Sequence, residues 1–410
     1  MVKCQKFIFT LLFCLLVSQS SLAKNKPWTV MVYMAGVNFL SPMVDRTLKE
    51  LMAIGSNENV DIIVQVHQPD ESGWFFTTKK PTVLLHVQRG KTVVLNSVDV
   101  KNGITYDSAD PQTLVDFCGF CNDKFPSDKT ALIYWGAASG YGYNHLESPP
   151  AYKENKTRAL GYDDRHKSLM SGPEFGEAVE MIAQNLKRPI DLIGFDTAFM
   201  ASVDMESALS QACKVMVATP GEINALGFEY KNSFQVFEDG SPSLEELSVS
   251  LVESFKSRFE PSHDYTLSAC CLTELAALDD TLSLIAIELI QSLQNQDKYF
   301  LKKLLDKCFT QNKQLIFANN TIDLKYFIST VYNGLGEPKY GSSLKRLKPL
   351  LSRALAQVDQ IVMTTANSEQ IQDACGLSIY FTRGKISETY LDSPFGHSKW
   401  AQFLQVYGNC

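Results

Sequence analysis

The chain has no excess of positive charge, no repeat or low-complexity stretch, and only one long uncharged apolar run. Lysine and arginine total 38 against 45 aspartates and glutamates, a formal net charge of −7 at pH 7. Nucleic-acid-binding domains present a basic surface, so nucleic acid is not an expected partner. An acidic protein attracts basic peptides, but net charge alone names no site. Cysteine is sparse, at ten in 410 residues, far below a disulfide scaffold, and a chain this long buries a core without staples. There are only six histidines, and no group of them stands ready to join Cys118-Gly119-Phe120-Cys121 in a metal site. That pair falls in a run with helical apolar spacing, so packing within a helix, with or without a disulfide, is expected. Cys270-Cys271, inside the strand-like run Tyr265 to Leu272, reads as buried structural cysteine.

The single apolar run, Phe7 to Val17, follows Lys3 and Lys6 and precedes Ser21-Leu22-Ala23, the pattern of a signal peptide over residues 1–23. It is too short to span a bilayer. Cys14 follows Phe13 rather than the small residue that lipid attachment needs. The expectation is a secreted or periplasmic protein with no membrane span after cleavage near Lys24. Cleavage removes two lysines and no acid, making the remainder more acidic still.

From Trp28 onward, apolar runs of strand length alternate with helical patterns. Strands are expected at Trp28 to Ala35, Val60 to Val66, Thr130 to Trp135, Ile190 to Phe195 and Val215 to Thr219. Helices are expected at Ser41 to Ile54, with Ser41-Pro42 as cap and first turn, and at Pro111 to Lys124, Gly172 to Leu186 and Met200 to Ala212. Segments Phe75 to Lys80, Thr82 to Gln88 and Lys91 to Val98 read as a small antiparallel excursion. Strands alternating with helices imply right-handed parallel crossovers, so the fold class is α/β, a three-layer αβα sandwich with a mainly parallel sheet. Residues 24–272 form that α/β domain. Residues 273–410 read as a mainly helical extension packed on the same core, with a late strand at 376–381.

Two runs end abruptly in small residues: Thr130 to Gly142 (TALIYWGAASGYG) and Asp191 to Glu206 (DLIGFDTAFMASVDME). A strand emptying into a loop at a parallel sheet's edge is where ligands and chemistry collect. Ala137 and Ala198 sit at the two tips. Through these segments, and through Trp28 to Gly36, Gly161 to Ser168, Ala218 to Tyr230, Tyr265 to Leu272, Gly376 to Phe381 and Trp400, the chain resembles the clostripain family of cysteine peptidases, of the caspase-like clan. The family shows Trp-Asn/Asp-His-Gly after one strand and Asp-Ala-Cys-Leu-Met after the next. Laid over this chain, the resemblance puts Ala137 at the general-base histidine and Ala198 at the nucleophilic cysteine. It also implies that Asp196, two residues before the cysteine position, helps bind a basic side chain, which makes basic peptides or proteins the implied partners.

A thiolate activated by an imidazole is the attacking group in this chemistry, and a methyl group supplies neither part. Without a catalytic unit, the acceleration left by binding and oxyanion stabilisation is on the order of 10³ to 10⁴-fold over water. The expectation is therefore an exported homologue with no intact catalytic residue, a pseudopeptidase that retains a groove for basic peptides. The alternatives are an active endopeptidase cleaving after arginine or lysine, through a relocated dyad or as an engineered copy, and a structural scaffold. Gly136, Ala138 and Thr197 also depart from the family pattern, which favours drift of the whole neighbourhood over two installed alanines. Thr197 and Ser139 are displaced from the reacting positions, and His145 is a base without a nucleophile. Asp196 has two open readings, pairing with an arginine or lysine, or hydrogen-bonding nearby amides to hold its turn. No cofactor is expected; the pair Asp163-Asp164 would suit calcium, or simply a turn. The basic loop Tyr143 to Lys167, a place where relatives are matured by self-cleavage, is expected to remain intact.

Overall fold

The structure, a computed structural model, describes residues 25–72, 77–138, 140, 160–260, 264–317, 320–336, 342–386, 388–391 and 393–410. The signal-peptide reading of residues 1–23 lies outside them, as do Ser139, His145 and the basic loop as far as residue 159. Nine strands form the large sheet: β1 (Lys26–Ala35), β2 (Val60–His67), β3 (Val83–Gln88), β4 (Lys91–Val94), β5 (Ser127–Gly136), β6 (Ile190–Asp196), β7 (Cys213–Ala218), β8 (Thr266–Cys271) and β9 (Val362–Asn367). Their spatial order is β9-β8-β7-β6-β5-β1-β2-β3-β4. The central run from β7 to β2 is parallel, and an antiparallel pair is added on each side. The chain runs from β1 outward to β2, then returns to β5 on the other flank. That reversal is a topological switch point, where a crevice opens beyond the carboxyl ends of the strands.

Helices cover both faces, which is why the central strands read as continuous apolar runs. Alternation along β1 shows the division. Met31, Tyr33 and Ala35 enter one core with the helices Pro111–Lys124 and Gly172–Leu186, while Trp28, Val30, Val32 and Met34 enter the other with Val44–Ile54 and Leu244–Phe259. Local signals fix the helix starts. Asp110 accepts from the Gln112 amide ahead of Pro111, and Ser171 and Ser243 form capping boxes with Glu174 and Glu246.

Some boundaries differ from those expected. Ser41-Pro42 opens a short 3₁₀ turn and the α-helix begins at Val44, with no side-chain cap. The helix expected from Met200 begins at Val203, capped by Ser202, because the N–H groups of Phe199, Met200 and Ala201 bind the carbonyls of Gly221 and Thr219. Of the antiparallel excursion, Val83–Gln88 and Lys91–Val94 extend the main sheet beside β2, while Thr77–Thr78 pairs with Glu71–Ser72 in a two-stranded sheet of its own. In the last third, the helix Lys298–Lys307 and the strand β9 were not anticipated; β9 is a short edge strand whose apolar alternation is weak. The late strand, Ser378–Tyr380, joins a separate three-stranded sheet with Ile316–Phe317 and Thr321–Asp323. Cys118 and Cys121 are buried and unpaired, and burial pushes both thiols far above their ordinary range. Among the described residues, no helix is long and apolar enough to cross a membrane.

Glu206, fully buried on the helix Val203–Leu209, carries an unusual proton. Burial pushes its carboxyl up to about 8; the Cys270 thiol opposes the rise and Asp279 adds to it. Between the ordinary value of 4.5 and 8, the folded chain holds a proton that the unfolded chain has released. Stability therefore falls as pH rises through this window, by up to about 1.4 kcal/mol per unit from this group. Urea unfolding at pH 5.5 and 7.5 should show a loss about 2 kcal/mol smaller in Glu206→Gln than in the wild type; equal losses would show that Glu206 is not the proton-holding group.

Candidate functional site

The two sequence tips meet at one place. Trp135 and Asp196 are register partners on adjacent parallel strands β5 and β6, so the residues that follow leave the sheet side by side. The resulting cleft, about 110 Å³, is lined by Phe39 and Leu40 after β1, Trp135 to Ala138 after β5, Asp196 to Ala198 after β6, and Ile223, Asn224, Ala225 and Gly227 after β7. It sits at the carboxyl ends of parallel strands, beside the switch point. Ala137 is 5% exposed and Ala198 half-buried, so both line one wall system rather than separate loops. Phe199, the next residue, takes the left-handed conformation at φ 62°. A non-glycine residue held there costs on the order of 1 to 3 kcal/mol and persists only when its surroundings impose it. The amide bonds to Gly221 and Thr219 impose it here.

Asp196 lines the cleft at the end of β6. Alternation places Phe195 in the core with Phe175 and turns Asp196 toward the opposite layer, which holds Phe228 and Tyr230. Its Oδ1 accepts from the Phe228 amide at 2.9 Å and its Oδ2 from the Tyr230 hydroxyl at 2.6 Å. The carboxyl is 4% exposed, and burial pushes its pKa up to about 6 against the lowering effect of Tyr230, Phe228 and Arg258. These bonds tie the end of β6 to the loop after β7 rather than holding a local turn, and Asp196 is among the residues lining the cleft.

A second layer of contacts keeps this wall in place. Arg258, 6% exposed at its side chain, donates through Nη1 to the carbonyls of Leu226, Gly227 and Phe228 and through Nη2 to both Glu50 oxygens at 2.6 Å. Glu50 in turn accepts from the Tyr230 amide. Arg258 and Glu50 escaped sequence reasoning: each looks like an ordinary charged residue on an amphipathic helix, and only the fold brings them to the cleft wall.

Asp163 lies elsewhere. Its oxygens accept from the amide and hydroxyl of Ser108 and the amides of Arg165 and His166. Burial alone would raise its pKa, but these donors hold it below the ordinary value. Asp107, Asp163 and His166 bring potential ligand atoms within 4.8 Å of one another. With Asp163 already bonded by protein donors and an imidazole as third member, the set does not fit calcium, which takes six to eight oxygens. The Asp164 amide donates to the Val37 carbonyl.

A nine-stranded αβα sandwich whose cleft opens beyond β5 and β6 defines the caspase-like class of cysteine peptidase folds. The chain belongs to the Clostripain family, whose sequence profile matches residues 32–399. Among solved structures it is similar to a secreted C11 cysteine protease from Bacteroides thetaiotaomicron in complex with an irreversible peptide inhibitor, at 17% identity and TM-score 0.62, covering 92% of this chain and 99% of that one. It is also similar to an inactive zymogen C11 protease from Parabacteroides distasonis, at 17% identity and TM-score 0.59, covering 93% and 98%. At such identities these structures speak for the fold. The sequence has no match among the curated proteins.

Gly227 provides a test of this geometry. At φ +60° it packs its Cα onto Asp196, and an added Cβ would stand 2.4 Å from Oδ1. Gly227→Ala should destabilise the protein by about 2 to 4 kcal/mol. Gly90→Ala, at φ +75° with nothing within 4 Å, should cost only the backbone part, about 1 kcal/mol. Chemical denaturation of both variants checks the difference, and equal losses would show that contact with Asp196 is not the constraint.

Proposed function

We propose that this chain is an exported, catalytically inactive member of the Clostripain family whose cleft binds basic peptides without cleaving them. The observation that carries the reading is that Ala137 and Ala198 line one cleft together with Asp196. Where the family resemblance calls for an imidazole and a thiol, the cleft has two methyl groups, and neither activates nor attacks a carbonyl. Asp196 offers a buried carboxylate in the cleft lining, and an arginine or lysine side chain entering the cleft supplies the opposite charge. Export is supported by the signal-peptide pattern of residues 1–23 and by the secreted character of one similar solved protein.

Purified protein incubated with fluorogenic peptides ending in arginine or lysine should give no turnover above background. Hydrolysis abolished by a thiol-directed inhibitor would overturn the reading. In titrations with a labelled basic peptide, Asp196→Asn should weaken binding about tenfold or more, as expected for loss of a charge-assisted contact. The pH dependence has a definite sign. Asp196 is ionised above about pH 6 and neutral below it, so affinity should fall as pH drops from 7.5 to 5. A pH-independent affinity would remove Asp196 from the recognition step.

A further inference from the structure

Thr197 stands between the Asp196 carboxylate and the empty cysteine position, where the family pattern Asp-Ala-Cys has alanine. It is fully buried, it lines the cleft, and its Oγ1 has no hydrogen-bond partner among the described residues. A buried hydroxyl without a partner costs stability, and native proteins rarely retain one without use. The walls around it are largely apolar: the methyls of Ala137 and Ala198, with Leu40, Ile223 and Phe39, which is 75% exposed at the mouth. Each Asp196 oxygen already accepts a hydrogen bond from the protein. Of the other polar side chains in this lining, Asn224 already accepts from the Leu226 amide through its Oδ1, whereas the Thr197 hydroxyl is buried with no partner among the described residues. The adjacent carboxylate disfavours an anionic acceptor, leaving a neutral one such as a peptide carbonyl.

We propose that Thr197 determines ligand retention in this cleft by donating a hydrogen bond to a main-chain carbonyl of an extended peptide. The peptide is held where the family's nucleophile would stand, and no bond is made or broken. This proposal rests on the reading of the cleft as a peptide-binding site and adds the group that replaces the catalytic pair.

The test is fluorescence anisotropy of fluorescein-labelled Ala-Ala-Ala-Arg-amide with wild type, Thr197→Val and Thr197→Ser, alongside thermal unfolding of each. Valine keeps the shape and removes the hydroxyl; serine keeps the hydroxyl. Thr197→Val should raise Kd about tenfold while its melting temperature stays at or above that of the wild type, since an unpaired buried hydroxyl has been removed. Thr197→Ser should bind close to the wild type. A merely structural threonine would lower stability on substitution without this separation of affinity from melting temperature. Equal binding by wild type and Thr197→Val, or weak binding by both variants, overturns the proposal. If Asp196→Asn weakens binding and Thr197→Val does not, only this inference fails; if the wild type binds no basic peptide, the peptide-binding reading fails and takes this one with it.

Discussion

The carboxylate of Asp196 ties the end of one central strand to the loop that follows the next. Tyr230 and Phe228 donate to its two oxygens, Gly227 packs against it, and Arg258 clamps the same loop through three carbonyls while held by Glu50. With burial setting its pKa near 6, this group is costly to keep charged, and its bonds offset much of that cost. This connection fixes the cleft wall formed by the loop after β7 against the end of β6.

The architecture of the sheet is independent of the two alanines that line the cleft. The sheet does not depend on the side chains at positions 137 and 198, because neither Ala137 nor Ala198 belongs to either hydrophobic core and both lie beyond the last paired residues of their strands. The strained backbone at Phe199 remains for the same reason, since amide bonds to Gly221 and Thr219 impose it, not the side chain at position 198. Backbone hydrogen bonds and buried polar contacts, rather than the two alanines, shape this cleft.

Much of the fold was legible in the sequence because buried parallel strands leave long apolar runs and capped helices leave short polar signatures. Trp28 to Ala35 and Ile190 to Phe195 read as strands on sight, and Pro111 to Lys124 as a helix. What escaped reading was short or non-local. Val362–Asn367 is half-buried at the sheet's edge and alternates too weakly to stand out. The shortened helix at Val203 depends on carbonyls some twenty residues away in the chain. Arg258 and Glu50 are 208 residues apart and carry no local mark of their pairing.

By itself, the sequence determined the α/β class, the family pattern and the two alanines, because hydrophobic periodicity and residue identity are local properties of the chain. Tertiary structure decided that Ala137, Ala198 and Asp196 line one cleft, that the carboxylate of Asp196 is engaged by the loop after β7, and that the hydroxyl of Thr197 has no partner among the described residues. Those facts depend on strand register and on loops brought together from distant segments. No periodicity encodes them, since they arise only when the sheet closes and its strand ends come to lie side by side.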